Sequence, residues 1–250
     1  MQSRCYTFDG IAPQEIGSEV SAELHGVCDG APYHGSALTY SVQTYVQNML
    51  AKTEDEALRT VLVDLLNYGA AAQNYAGYRL NSLANADLSE EQQARANSYL
   101  TLPVSCTQVS GEQNAAVSFR SATLILKNKI SICVSLNIDS SVTELTDLEA
   151  VFSFTDINGN QTESVVPGSM FLPNQGGCTV TFDGLNAALL RTPVSVTIRN
   201  INSGVTVSNT LTYSVESYAA SMQNSEDSLL TSLLCAMMNY GDSAAAYVQR

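Results

Sequence analysis

The chain has 250 residues, room for one large domain or two ordinary ones, and its 45% hydrophobic content is ample for packed cores, which excludes a disordered chain. Its net charge of −13 comes mainly from a shortage of basic residues (11 Lys and Arg against 24 Asp and Glu), so the surface repels phosphate backbones and anionic lipid, and nucleic acid is excluded as a partner. No apolar run reaches the roughly 18 residues of a membrane span, so no membrane insertion is expected.

In chain order, residues 4–8 and 20–27 read as strands. In the second, Val20, Ala22 and Leu24 alternate with Ser21, Glu23 and His25, the period of a sheet with one wet face. Asp9-Gly10 and Asp29-Gly30 are turn signals. From Tyr40 the period changes, and Val42, Tyr45, Val46 and Met49 follow helical spacing. The helix breaks near Lys52. Thr53 is the expected N-cap of the next one, with Glu56 completing a capping box and Leu58, Leu62, Leu65 and Leu66 forming its apolar stripe to about Tyr75. Residues 81–100 are polar, and Asp87 to Gln93 reads as a short helical connector. After Pro103, strands are expected at 104–109, 115–120, 122–127 and 130–138, the last alternating cleanly. Strands at 150–155 and 161–166 flank Asn158-Gly159, a strong hairpin signal, and more follow at 177–183, 193–200 and 204–213. Two helices close the chain from Ser214 to about Gln249, with Ser225, Glu226 and Asp227 capping the second.

The text repeats. Leu38-Thr39-Tyr40-Ser41-Val42 recurs as Leu211-Thr212-Tyr213-Ser214-Val215, Leu66-Asn67-Tyr68-Gly69 as Met238-Asn239-Tyr240-Gly241, and Thr7-Phe8-Asp9-Gly10 as Thr181-Phe182-Asp183-Gly184. The fold class this predicts is α+β: antiparallel immunoglobulin-like β-sandwich units, each followed by a two-helix hairpin, in duplicate. Residues 1–80 are read as a partial first copy (late strands and helices), 81–102 as a helical connector and 103–250 as the complete second copy. The first copy starts mid-module, and Met1 to Tyr6 lacks the apolar core of a signal peptide, so the chain reads as a piece of a larger exported protein.

Motifs for chemistry are sparse. Cys5, Cys28, Cys106, Cys133, Cys178 and Cys235 show no CxxC spacing, and no metal site is expected. Cys5 with Cys28, and Cys106 with Cys133, leave open either cross-strand disulfides or buried thiols, while Cys235 stands at the position of Val63 and reads as core. The Asp156-Ile157-Asn158-Gly159-Asn160 stretch resembles the start of a calcium loop, but Gly159 is fourth and Pro167 holds the twelfth place, so a hairpin turn is the better reading. His25 and His34 are the only histidines and neither accompanies a nucleophile motif; with no HExxH, Walker or GxGxxG pattern, no catalytic residue and no cofactor are expected. Gly69 and Gly241, mid-helix in both copies, point to close backbone approach by another helix or the sheet. Tyr68, Tyr75, Tyr240 and Tyr247 read as core with anchored hydroxyls. Trp is absent, leaving Tyr6, Tyr33 and Tyr99 as candidates for exposed sugar stacking.

The runs Tyr213-Ser214-Val215-Glu216-Ser217-Tyr218-Ala219, Leu65 to Tyr75 (Leu-Leu-Asn-Tyr-Gly-Ala-Ala-Ala-Gln-Asn-Tyr), Leu83 to Leu88 and Ala122 to Lys127 resemble a module of large secreted proteins of gut Firmicutes. The resemblance covers most of the chain and implies a location, extracellular or at the bacterial cell surface. It also implies an adhesion or superantigen-type role, since some such proteins capture host immunoglobulin. The expectation is therefore a non-enzymatic binding module for a host protein, immunoglobulin first, with neighbouring modules of the same protein as further partners. A glycan-binding module and a ligand-free spacer are the alternatives. Contacts are expected on the strand around Ser21 to Val27, through Glu23, His25 and Tyr33.

Overall fold

The structure, a computed structural model, describes residues 7–8, 10–28, 30–97, 107–111, 116–127 and 129–250. Among them the elements run as strands β1 (Val20–Ala22), β2 (His25–Cys28), β3 (Ala31–His34) and β4 (Leu38–Tyr40), then helices α1 (Val42–Leu50), α2 (Glu56–Ala76) and α3 (Glu90–Ala94). Next come strands β5 (Gln108–Ser110), β6 (Val117–Leu126), β7 (Ile130–Ile138), β8 (Leu148–Thr155), β9 (Gln161–Pro167), β10 (Leu172–Asn174), β11 (Gly177–Phe182), β12 (Val194–Asn200) and β13 (Thr210–Tyr213). Helices α4 (Val215–Met222) and α5 (Ser228–Val248) end the chain.

The strands form four separate antiparallel sheets: β1-β4, β2-β3, β10-β11-β7-β6 and β5-β13-β12-β8-β9. The expected duplicated immunoglobulin-like sandwich with hairpin is therefore corrected to a mixed α/β arrangement without a closed barrel. The physical reason is that the long strands from Gln108 to Phe182 occur once only, and the first half supplies just two-stranded ribbons. What does recur is smaller: a 3₁₀ turn (Pro13–Glu15; Ala187–Leu189), a two-stranded pairing and two helices. Val20 lies opposite Tyr40 and Ala22 opposite Leu38, as Val194 lies opposite Tyr213 and Val196 opposite Leu211. In both copies the α1 or α4 entry donates a backbone N–H to the turn, Gln43 to the Ile16 carbonyl (3.0 Å) and Glu216 to the Leu190 carbonyl (3.1 Å).

Gly69 and Gly241 follow from that turn. A Cβ on Gly69 would meet Ile16 Cδ1 at 2.9 Å and the Pro13 carbonyl at 3.4 Å, and one on Gly241 would meet Leu190 Cδ1 at 2.8 Å and the Ala187 carbonyl at 3.1 Å. The close approach is made by the 3₁₀ turn and the residue after it, joined at Gly69 by Ala84 at 3.2 Å, and not by another helix or the sheet. The helices are capped alike. Ser41 and Ser214 accept the N–H of Thr44 and Ser217, and Asp55 and Asp227 cap α2 and α5. Asp55, not Thr53, is thus the N-cap: Thr53 Oγ1 accepts the Asp55 N–H instead, because a carboxylate can take two helix N–H groups at once.

Two cores result. The larger joins the four- and five-stranded sheets to α4 and α5, with Phe152 and Phe182 stacked at 4.8 Å between the sheets, and α2 enters it through Tyr68 and Ala72. Tyr68 stacks on its counterpart Tyr240 at 5.9 Å, so the repeated helices meet through the same residue. Burial holds both phenols above their ordinary range. Tyr75 and Tyr247, expected in the core with them, are exposed. The smaller core, Ile16, Val46, Leu62, Leu66 and Ala84, takes nothing from the ribbon strands. The connector is held to α2 by buried polar groups: Asp64 receives a two-pronged bond from Arg95, Gln73 accepts the Ala84 N–H at 2.7 Å, and Asn67 donates to the Gln92 carbonyl at 2.8 Å.

Other expectations are adjusted in detail. The strands expected at 115–120 and 122–127 are one strand, β6, with an irregularity between Phe119 and Ser121. The strand expected at 204–213 shortens to Thr210–Tyr213. Residues 7 and 8 are not in a strand, and the rest of that expectation, at 4–6, lies outside the described residues, as do Cys5, Tyr6, Tyr99 and Cys106.

Candidate functional site

The ribbon in the first half is one long hairpin interrupted once. From Ala22 opposite Leu38 to His25 opposite His34, the outgoing strand advances three residues and the returning strand four. That extra residue is a bulge, tied down where the Gly35 N–H donates to the Leu24 carbonyl at 2.8 Å. Because side chains alternate between faces, the bulge resets which residues share a side.

One face is apolar. Val20, Ala22, Leu38 and Tyr40 line a groove of about 430 Å³, which Phe8, Ile11, Val42 and Tyr45 complete. Leu38 is 69% exposed and Tyr40 42%, whereas their counterparts Leu211 and Tyr213 are 2% and 5% exposed. The alternation in the sequence thus holds, but the side expected to be covered faces outward. Leu24 and Tyr33 (opposite Gly26) fall on this same side and are exposed.

The other face is polar. Ser21 and Thr39 bond through their hydroxyls at 2.6 Å. Beyond the bulge, Glu23 Oε2 lies 3.3 Å from His25 Nε2, and Glu23 Oε1 lies 3.9 Å from His34 Nδ1. The two imidazoles meet edge to face with centroids 4.5 Å apart. Of the three residues expected to make contacts, the structure brings Glu23 and His25 together and sends Tyr33 to the opposite side. The sequence reading missed His34 as their companion and Leu38, Tyr40 and Tyr45 as an open face. The second omission had a signal: the same residues in the second copy sit beside strands that the first copy lacks.

Elsewhere the chemistry is structural. Asp156 accepts the backbone N–H groups of Asn158 and Asn160, each at 2.8 Å, and these bonds hold its carboxyl below the usual range. Its oxygens build the Asn158-Gly159 turn, with Gly159 at φ +82°. Cys178 is a buried free thiol pushed up to about 11 by burial, and burial raises Cys133 too, which makes both poor nucleophiles. Cys235 is half-buried, less enclosed than its counterpart Val63. No described helix is long and apolar enough to cross a membrane.

The chain matches no protein-family model, no curated protein and no solved structure.

Proposed function

We propose that this chain is a non-enzymatic, extracellular protein-binding module whose contact surface is the apolar face of its first ribbon. One observation carries the reading: Leu38 and Tyr40 are exposed where Leu211 and Tyr213, in the same register, are buried in the larger core. A contiguous apolar face rimmed by polar groups marks a docking surface. The core that buries its counterpart joins two antiparallel sheets to α4 and α5, so one cover that fits this face is the apolar side of another antiparallel β-domain. Immunoglobulin domains are built of such sheets, and the resemblance to secreted bacterial modules makes host immunoglobulin the first partner to test.

The test is biolayer interferometry of the purified chain against IgA, IgM, IgG and Fab fragments, with mucin and starch as controls. Saturable binding to immunoglobulin is expected, reduced at least about tenfold (~1.4 kcal/mol) by the double substitution Leu38→Glu with Tyr40→Glu. Both side chains are exposed, so folding should survive, which circular dichroism checks. Absence of immunoglobulin binding, or binding indifferent to the double substitution, would overturn the proposal.

A further inference from the structure

The polar side of the same ribbon carries a second arrangement, independent of the apolar face. Glu23, His25 and His34 each bring one ligand atom into a cluster in which all three atoms lie within 4.8 Å of one another. We propose that they bind a single transition-metal ion, Zn²⁺ by preference.

Geometry supports this first. A tetrahedral Zn²⁺ holds nitrogen and carboxylate ligands at about 2.0–2.1 Å, which sets neighbouring ligand atoms about 3.3 Å apart. Glu23 Oε2 and His25 Nε2 are already 3.3 Å apart, and Glu23 Oε1 is 3.9 Å from His34 Nδ1. Binding would draw the three ligand atoms, now within 4.8 Å of one another, to that spacing. His25 and His34 are directly opposed in the β2–β3 ladder, and Glu23 lies two residues before His25 on the same side. The bulge is essential. Had the register of Val20 to Ala22 continued, His34 would lie opposite Gly26 and project from the other face.

Ligand type points the same way. Two imidazoles and one carboxylate suit Zn²⁺, Ni²⁺ or Cu²⁺, while Ca²⁺ and Mg²⁺ take oxygen ligands. Three protein ligands leave the fourth position to water or to a group on another molecule. The exposed side chains let an ion enter directly, and the chain's net charge of −13 favours the approach of a cation. A bound ion would cross-link the two strands of the hairpin tip, which is otherwise a two-stranded ribbon of the marginal kind.

The experiment is isothermal titration of the full, reduced chain with ZnCl₂ in a non-chelating buffer, beside Co²⁺ absorption spectroscopy and the exposed-site variants His25→Gln, His34→Gln and the double. One equivalent is expected to bind. Because loss of an outer-shell partner alone costs a metal site about 10–100-fold, each single variant should weaken binding by at least about tenfold. The Co²⁺ complex should show ligand-field bands without thiolate charge transfer. No binding, unchanged affinity in the double variant, or a thiolate band that places the ion on cysteine would each overturn the assignment.

Discussion

The two ribbons, β1–β4 and β12–β13, are nearly the same object in different surroundings. Val20-Ser21-Ala22 pairs with Leu38-Thr39-Tyr40 as Val194-Ser195-Val196 pairs with Leu211-Thr212-Tyr213, and each has a cross-strand hydroxyl bond (Ser21 to Thr39, 2.6 Å; Ser195 to Thr212, 3.1 Å). Val194, Val196, Leu211 and Tyr213 are all buried, whereas Ala22, Leu38 and Tyr40 are exposed and Val20 is half-covered. Fully burying a Val or Leu side chain contributes about 1.5–3 kcal/mol, so the first ribbon forgoes most of that and is held by its attachments to α1 and the 3₁₀ turn. Local text sets the pairing and its register. Whether the apolar side becomes core or stays exposed is set by residues outside the ribbon.

Truncating the same leucine in both copies tests the contrast most severely. Leu211→Ala should cost about 2–5 kcal/mol, since it opens a cavity in a core that cannot fully collapse. Leu38→Ala should change stability by less than about 0.5 kcal/mol. Urea denaturation of both variants measures the pair. A large cost at Leu38 that grows with protein concentration would mean that the first ribbon is covered in solution by a second copy.

Among the buried positions at which the two long helices differ, one exchanges a charge for a methyl group. Asp64 on α2, 1% exposed, corresponds to Ala236 on α5, also buried. Asp64 accepts from Arg95 Nε and Nη2 at 2.9 and 2.8 Å, and this bond raises the guanidinium above its ordinary value. Arg95→Ala strands a buried carboxylate. Water reaches the site through the exposed arginine, so the expected loss is about 1–3 kcal/mol rather than the larger figure for a sealed pair. Adding Asp64→Ala to that variant gives α2 the alanine that α5 carries at Ala236 and should recover most of the loss. Thermal unfolding of the two single variants and the double decides it, and additive losses would show that the pair is not a unit.

These contrasts separate what could be read in the sequence from what could not. The periodicities found α1, α2, β7 and the Asn158-Gly159 hairpin close to their observed bounds, because each is decided by residues within a few positions. The repeat is legible in the sequence, and so is the partial first copy; the duplicated immunoglobulin-like sandwich is the part that does not hold. Matching text at Leu38 to Val42 and at Leu66 to Gly69 marks the ribbon and helices, and the four- and five-stranded sheets have no counterpart among the described residues of the first copy. The strand at Ser21 to Val27 was chosen for contacts and Glu23 and His25 do meet, but His34 joins them only through a one-residue bulge, which alternation does not reveal. Tyr33 was lost to the same bulge. Asp55 was passed over as a cap for Thr53, since both residue types suit the position and only the three-dimensional bonds separate them.

The two capping aspartates give the smallest contrast. Asp55 takes the N–H groups of Ala57 and Leu58 at 3.0 and 3.3 Å, and Asp227 takes those of Leu229 and Leu230 at 3.0 and 3.1 Å. Only at Asp55 does the far end of the chain return, with Arg250 Nη1 donating at 2.7 Å. That bond, followed by the Leu58 N–H, holds the Asp55 carboxyl below its usual range. A carboxyl depressed in the folded state stabilises it above the ordinary value near about 3.9, and the contribution disappears as pH falls through the folded value. Arg250→Ala should therefore move the Asp55 titration upward, read by carboxyl carbon NMR, while stability at neutral pH barely changes because the pair is open to solvent. If the titration stays where it was, the helix N–H groups alone hold the carboxyl down, and the two caps are equivalent after all.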